Sequence, residues 1–353
     1  MKTDLSIIIV MFNSAGFIVP CLTALELATR AYTTQVIVVD CGSTDQGSAL
    51  VQESFDSVEL VRQDNIGFSA GNNVALPLCR GEKILLLNPD TAVSEESIAR
   101  LMHALDTHAE VGAVGPCLRS VDGSIQEHSA HNLPTLRNML SWLFLLDKVE
   151  WHLRFRGRQA PGQACLQGTW FDGFSLLRWQ RSHSAEVPYL SGACLMLRRS
   201  VVRQVGYLDV SAPLYLDDID YCRRIQDEGW KLLYVAEASI LHHGQQSSAS
   251  HQRDAIFYAL LCNSIYLYLK KHHGKLTALA YRVGAVVAGV LRLCTSAFVG
   301  KVVWGRAGAE LQRQRQMSAA LLRWAIGSTS DLRELKFAAV PLFPVWSSVV
   351  WKD

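Results

Sequence analysis

Three carboxylates fall within four positions at Asp217-Asp218-Ile219-Asp220, and two arginines, Arg223 and Arg224, follow at once. Like charges so close repel, so the cluster implies compensating cations, bound partners or perturbed protonation. If the segment opens a helix, Asp217 and Asp220 share one side while Asp218 points elsewhere. A carboxylate placed that way can take the proton of a hydroxyl as its oxygen attacks, provided its neighbours tune its pKa. The plainer alternative is a run of acids favouring a helix start through the macrodipole. The arginines then pair with spare carboxylates or with phosphate.

Other groups able to do chemistry end apolar runs. Asp40 closes Val38-Val39-Asp40 and is followed by Gly42, Ser43 and Asp45. A carboxylate there can accept from a base imide or from ribose hydroxyls, or else cap the next helix. Asp64 to Asn73 combines Gly67 and Gly71 with Asn65 and Asn72 ahead of a helix, which suits close approach of an anion but is a weak signal alone. Asn88-Pro89-Asp90 offers one carboxylate at a buried strand end. A magnesium or manganese ion on a diphosphate needs only one or two protein oxygens, and a helix cap at Asp90 is the alternative. His242 and His243 precede Gly244, and one of them could complete a metal shell or meet phosphate.

These positions need a scaffold that brings strand ends together. Leu5 to Met11 and Gln35 to Asp40 are continuous apolar runs, Ser57 to Arg62 is less regular, and Lys83 to Leu87 and Val111 to Val114 follow. Helical stretches separate them, and Ser94 precedes Glu95 and Glu96 as a helix cap. That alternation indicates an open α/β sheet, whose ligands lie beyond the carboxyl ends of the strands. The turn after the first strand reads Phe12-Asn13-Ser14-Ala15-Gly16, which lacks the G-x-G-x-x-G of dinucleotide-binding folds. Residues from about 129 to 187 carry tryptophans without a clean period and read as an insertion. Strands are expected again at Lys231 to Val235 and at Ser239 to Leu241.

Hydrophobic residues make up 49% of the 353 and charged residues 19%, enough for a packed core. A formal charge of +2 argues against a nucleic-acid partner. The nine cysteines form no C-x-x-C pair and read as core residues of a reducing compartment. Met1 to Asp4 leads straight into a strand without a signal-peptide layout, so a cytoplasmic location is expected.

In sequence order, Phe12-Asn13, Val38-Val39-Asp40 with Ser43 and Asp45, Asn65 to Asn73, Leu87 to Asp90, Ser191 to Arg199, Asp217 to Asp220 and His242 to Ser247 resemble the family-two glycosyltransferases of the GT-A fold. The resemblance spans roughly residues 4 to 273. It implies α/β architecture: a Rossmann-like open, mostly parallel sheet flanked by helices, over 1–249, with a C-terminal helical region over 250–353. It implies transfer of a sugar from a nucleoside-diphosphate donor with inversion, Asp218 acting as base. Phe12, Asn13, Asp40, Asn65, Gly67, Gly71, Asn72, Asp90, Gly192, Ala193 and Asp217 would line the nucleotide-sugar site, with Asp40 at the base and Asp90 at the diphosphate. Asp90 and His243 would contact a divalent metal, Mg2+ or Mn2+. Two departures stand out: Asp217 replaces the commoner Glu, and the Asp90 motif lacks a first aspartate. The LNPD form and the run NSIYLYLKKHHG look most like rhamnosyltransferases of cell-wall and O-antigen assembly. The implied donor is dTDP-rhamnose and the acceptor a lipid-linked saccharide or polysaccharide. A UDP-hexose donor is the alternative within the class, and an inactive nucleotide-sugar-binding protein the alternative outside it.

Beyond 250 the chain reads as one long helix to His273, then an apolar segment from Leu276 to Val303 interrupted by Arg282, Arg292 and Lys301. Its longest uncharged stretches are about nine residues, short of the roughly 20 that span a bilayer. Isolated cations on such a helix suit an interfacial segment whose stems reach towards headgroups at the inner face of the cell membrane. Packing on the catalytic domain is the alternative.

Overall fold

The computed structural model describes residues 2–146, 181–211, 216–244, 251–302 and 308–327. Nine strands form one sheet among these: β1 Leu5–Met11, β2 Thr34–Cys41, β3 Val58–Gln63, β4 Lys83–Leu87, β5 Thr91–Ala92, β6 Val111–Arg119, β7 Ala185–Glu186, β8 Cys194–Arg198 and β9 Lys231–His242. The spatial order is β3-β2-β1-β4-β8-β6-β9-β5, with β7 also beside β9. All seven residues of β1 are buried, as a strand covered on both faces must be. Alternation splits them between two cores: Ile8 and Val10 join Ile37, Val39 and Leu86 on one face, while Ile7, Ile9 and Met11 join Val38, Leu85 and Leu87 on the other.

The sheet is mostly parallel, as expected, with three strands reversed. β3, β2, β1 and β4 run parallel, but β8 lies antiparallel between β4 and β6, and β5 and β7 lie antiparallel to β9. The inversion matters for the site, because β8 begins at the edge where β4 ends, pairing Leu87 with Cys194. The two strands expected at 231–235 and 239–241 are one, β9, with a register shift against β6 between Pro116 and Cys117. Of the expected insertion, 147–180 lies outside the described residues.

The helices are α1 Ala15–Ala28, α2 Gly47–Ser54, α3 Phe68–Ala75, α4 Glu95–Thr107, α5 Leu136–Leu143, α6 Arg199–Val205, α7 Asp217–Asp227, α8 His251–His273, α9 Lys275–Val302 and α10 Gly308–Ala325. Ser94 caps α4 as expected: its side chain accepts from Ser97 N–H, with Glu95 and Glu96 in the first turn. Of the cysteines described, Cys21, Cys41, Cys79, Cys117, Cys194, Cys222 and Cys262 are buried and Cys294 is exposed.

The expected outward-reaching cations of the C-terminal segment are placed differently. Arg282 of α9 donates to the Ala325 carbonyl at 2.8 Å, at the end of α10. Arg292 donates to the Tyr258 hydroxyl at 2.9 Å and to the carbonyls of Trp142 and Leu143, at the end of α5. Each arginine thus satisfies carbonyls at another helix's C-terminus, where the dipole favours a cation. By length and composition alone, α9 contains a 22-residue span, Lys275–Ser296, long and apolar enough to cross a membrane. The short uncharged stretches had argued against such a span. Replacing Arg292 by Leu leaves partly buried carbonyls without their charged donor, at a cost of about 2 kcal/mol. A thermal melt should show a midpoint several degrees lower, and an unchanged midpoint would remove the capping role.

Candidate active site

Polar residues gather where β1, β2 and β4 end and β8 begins. Met11 lies beside Asp40 in register, so the turns after β1 and β2 are neighbours. Asn13 adopts φ +49°, and its side-chain Oδ1 accepts from Thr44 N–H at 2.8 Å while its backbone N–H donates to Ser43 Oγ at 3.0 Å. Asp45 joins the same two turns, accepting from Ala15 N–H and Gly47 N–H. Asp40 is buried, and Oδ1 accepts from Ser43 N–H at 3.0 Å. Phe12 stands out from this edge, 48% exposed, where an aromatic face is free to stack.

The glycine-rich run before α3 serves packing as well as access. Gly67 takes φ +81° immediately ahead of the helix. A Cβ at Gly71 would lie 2.7 Å from Val10 Cγ1, so the helix can sit against β1 only without one. Asn72 is buried and donates to the Phe68 carbonyl at 3.0 Å, turned into its own helix. Asn73 locks α3 to the segment after α6 by donating to the Leu208 carbonyl and accepting its N–H. Asn65 is half-buried ahead of Gly67.

Beyond β4, Asn88 N–H donates to the Ala193 carbonyl at 2.9 Å, bringing Gly192 and Ala193 beside the Asn88–Asp90 turn. Asp90 Oδ2 accepts from Gly244 N–H at 3.1 Å, and Oδ1 lies 3.4 Å from His242 Nε2. His242 Nδ1 meets Gln126 Oε1 at 2.8 Å, while the Gln126 amide donates to the His242 carbonyl. That amide orientation makes Nδ1 the donor to Gln126 and turns Nε2 towards the Asp90 carboxylate. Burial works against the Asp90 charge, yet His242 and the Gly244 amide hold its carboxyl below the ordinary range. His243 lies differently: its ring rests on Phe17, 5.4 Å between centroids, and its N–H donates to the Asp90 carbonyl. Among the described residues no three His, Cys, Asp or Glu side chains converge to hold a metal. Asp90 Oδ1 and His242 Nε2 are the side-chain atoms here that would hold a divalent ion.

The acidic helix α7 starts on Leu216, a non-glycine residue at φ +69°. Such a left-handed residue costs about 1 kcal/mol or more and persists where the surroundings impose it. Asp217 receives the Ser69 hydroxyl at 2.7 Å. Asp218 Oδ2 receives the Tyr189 hydroxyl at 2.6 Å and Gly192 N–H at 2.9 Å, and Oδ1 receives Ile219 N–H at 2.9 Å. A Cβ on Gly192 would lie 3.1 Å from Asp218 Cβ, so the missing side chain is what admits the carboxylate. Asp220 is bound by Arg224 at 2.8 Å, His272 at 2.7 Å and Lys271 at 2.7 Å. Burial and the adjacent Asp217 push Asp218 up to about 6. Burial also raises Asp217. For Asp220 burial is outweighed by His272, Lys271 and Arg224, which hold it well below the carboxylate range.

The residues singled out in the sequence thus gather at one edge, with the Asn72 amide turned into its own helix and the His243 ring against Phe17. Sequence reasoning missed Tyr189, Gln126 and the contact role of His242. Only period two in β9 pointed to His242, since Ala238, Ile240 and His242 are its buried side.

Comparison with known proteins agrees with this geometry. Residues 6–206 match the model of glycosyl transferase family 2, and residues 168–352 that of glycosyl transferase family group 2. The N-acetylglucosaminyl-diphospho-decaprenol L-rhamnosyltransferase of Mycobacterium tuberculosis (strain ATCC 25618 / H37Rv) is 28% identical over 288 residues, 77% of this chain and 86% of that protein. The low-salt glycan biosynthesis hexosyltransferase Agl10 of Haloferax volcanii is 24% identical, covering 69% and 68% respectively. Among solved structures, mannosyltransferase PcManGT from Pyrobaculum calidifontis, in complex with GDP-Man and Mn2+, matches with TM-score 0.51 at 16% identity, over 94% of this chain and 88% of that one. The mixed sheet and its helices are those of a GT-A glycosyltransferase, and the chain belongs to glycosyl transferase family 2.

Proposed function

We propose that this glycosyltransferase moves a deoxyhexose, rhamnose from a dTDP donor, onto a lipid-linked saccharide at the cytoplasmic face of the cell membrane, with inversion at the anomeric carbon. The observation that carries the reading is the hydrogen bonding of Asp218. Oδ2 is filled by two donors and Oδ1 by one, so Oδ1 keeps a free lone pair. That lone pair takes the acceptor hydroxyl's proton as the hydroxyl oxygen bonds to the anomeric carbon. The bond from that carbon to the diphosphate oxygen breaks on the opposite face, and its electron pair leaves with the nucleoside diphosphate. A base raised towards neutrality is stronger than an ordinary carboxylate while remaining ionised at cytoplasmic pH.

Asp40 is placed to receive the base imide or the ribose, and Phe12 and Asn13 lie beside it on the donor side. Gly192 and Ala193 present bare backbone to the sugar, and Asp217, fixed by Ser69, borders it. Asp90 and His242 would hold Mg2+ or Mn2+, which when bound neutralises the leaving diphosphate. The choice of rhamnose and of a polyprenol-linked acceptor rests on the mycobacterial relative, whose name states that sugar and that acceptor.

Thermal shift with dTDP, UDP, GDP and CDP, each with and without manganese, tests the donor class. Stabilisation by dTDP, deepened by metal and lost in Asp90→Ala, is expected. Preference for UDP would move the reading to a UDP-hexose donor, and silence towards every nucleotide would count against a nucleotide-sugar site. Asp218→Asn should keep the nucleotide shift and lower turnover by about a hundredfold or more. Turnover should fall as pH drops through about 6, because protonation removes the base. Tyr189→Phe removes a donor that favours the charged carboxylate, so the acid limb should move to higher pH. A limb that stays in place would separate Tyr189 from the base.

A further inference from the structure

Helix α9 presents a continuous apolar face to the outside. Leu276, Leu279, Val283, Val287, Val290 and Leu291 are each between 44% and 83% exposed. Their spacing of three and four residues sets them along one side of the helix, over roughly 22 Å. The opposite side is buried through Ala278, Tyr281, Ala285 and Ala288, packed with α8 and α10, and it holds both inward arginines. Only 28% of its most apolar 18-residue window is buried, whereas the core helix of a globular domain is mostly buried.

Charge identifies the occupant. From 255 to 309 the sequence contains no Asp or Glu, against seven cations: Lys270, Lys271, Lys275, Arg282, Arg292, Lys301 and Arg306. Lys270 and Lys275 are exposed beside the start of the apolar row. An aliphatic row edged by cations matches acyl chains beneath anionic headgroups. It matches a second copy of this chain poorly. Protein interfaces draw on aromatic and hydrogen-bonding anchors, which the row lacks, and pairing would set like charges side by side.

We propose that α9 lies in the plane of an anionic bilayer, with the row from Leu276 to Leu291 in the acyl layer. The helix does not cross, since its other face is occupied by capping contacts to α5, α8 and α10. Gly274, at φ +90°, joins α9 to α8, whose Lys271 and His272 grip Asp220 two positions from Asp218. Seating α9 therefore fixes the height of the acidic helix above the membrane. The inference does not depend on the donor or on the role assigned to Asp218.

Flotation of the full chain tests it. The wild type should rise with phosphatidylcholine–phosphatidylglycerol vesicles and less with pure phosphatidylcholine. Val283→Glu/Val287→Glu should cut the bound fraction by about tenfold or more, since both valines would carry charge into the acyl layer. Both sites are exposed, so an unchanged melting midpoint is expected to show that the variant is folded. Independently, a polarity-sensitive fluorophore on exposed Cys294, in a Cys165→Ser background, should shift to the blue when the mixed vesicles are added. Several outcomes would overturn the proposal: wild type left in the lipid-free fraction, equal flotation of the variant, or no shift at Cys294. A dimer in buffer that the variant turns into monomer would assign the face to a second copy. Bound protein that resists an alkaline carbonate wash would show that the helix spans.

Discussion

Repulsion among three carboxylates in four residues is the constraint around which this molecule is organised. The fold relieves it by giving each one a different set of partners. Asp217 is held by Ser69 from the glycine-rich segment, Asp218 by Tyr189 and the Gly192 amide ahead of β8, and Asp220 by Arg224 with Lys271 and His272. A single helical turn thereby ties the donor half of the sheet, its antiparallel strand and the C-terminal helices together. The electrostatic results diverge accordingly. Arg224 and Lys271, with the His272 hydrogen bond, keep Asp220 ionised, whereas Asp218 has only neutral donors and an acidic neighbour, and its affinity for a proton rises. Position within one turn thus separates an acid used for structure from one available for chemistry.

The antiparallel course of β8 makes this possible. Had β8 followed the parallel pattern of β1, β2 and β4, its first residues would lie at the opposite edge of the sheet. Running antiparallel, it delivers Gly192 and Ala193 to the carboxyl end of β4, within hydrogen-bond reach of Asn88. Gly192 then admits Asp218, because the carboxylate occupies space that a side chain would fill. The Asp90–His242 pair is secured by β9 with help from Gln126, so both charged centres depend on strands that enter the sheet late in the chain.

Much of this was legible in the sequence because strand ends advertise themselves. An apolar run closed by Asn, Asp or Gly is a local signal that singled out Asn13, Asp40 and Asp90, and the run of three carboxylates singled out Asp218. Local signals do not report pairing across long separations. Tyr189 and Asp218 lie 29 positions apart, and Gln126 and His242 are separated by 116, so no periodicity links either pair. The reversal of β8 was hidden for the same reason, since a short buried run looks alike in either direction. That His242 is the histidine turned inwards follows from strand parity. Reading 231–242 as two strands broke the alternation that places His242 on the buried side.

The arginines of α9 show why a charge count along a helix misjudges its surface. Counted in sequence, Arg282 and Arg292 interrupt the apolar run and make it look too polar to be long. In space each reaches the free carbonyls that end a neighbouring helix, where a guanidinium meets both unsatisfied acceptors and the negative end of a dipole. A cation used in this way leaves the outer face as apolar as if it were absent. It also fixes that face against the catalytic unit, because α5 packs on the sheet core and α8 ends on Asp220. Apolar surface and acidic helix are therefore parts of one rigid arrangement, which is what an enzyme needs if its acceptor is presented from a lipid layer.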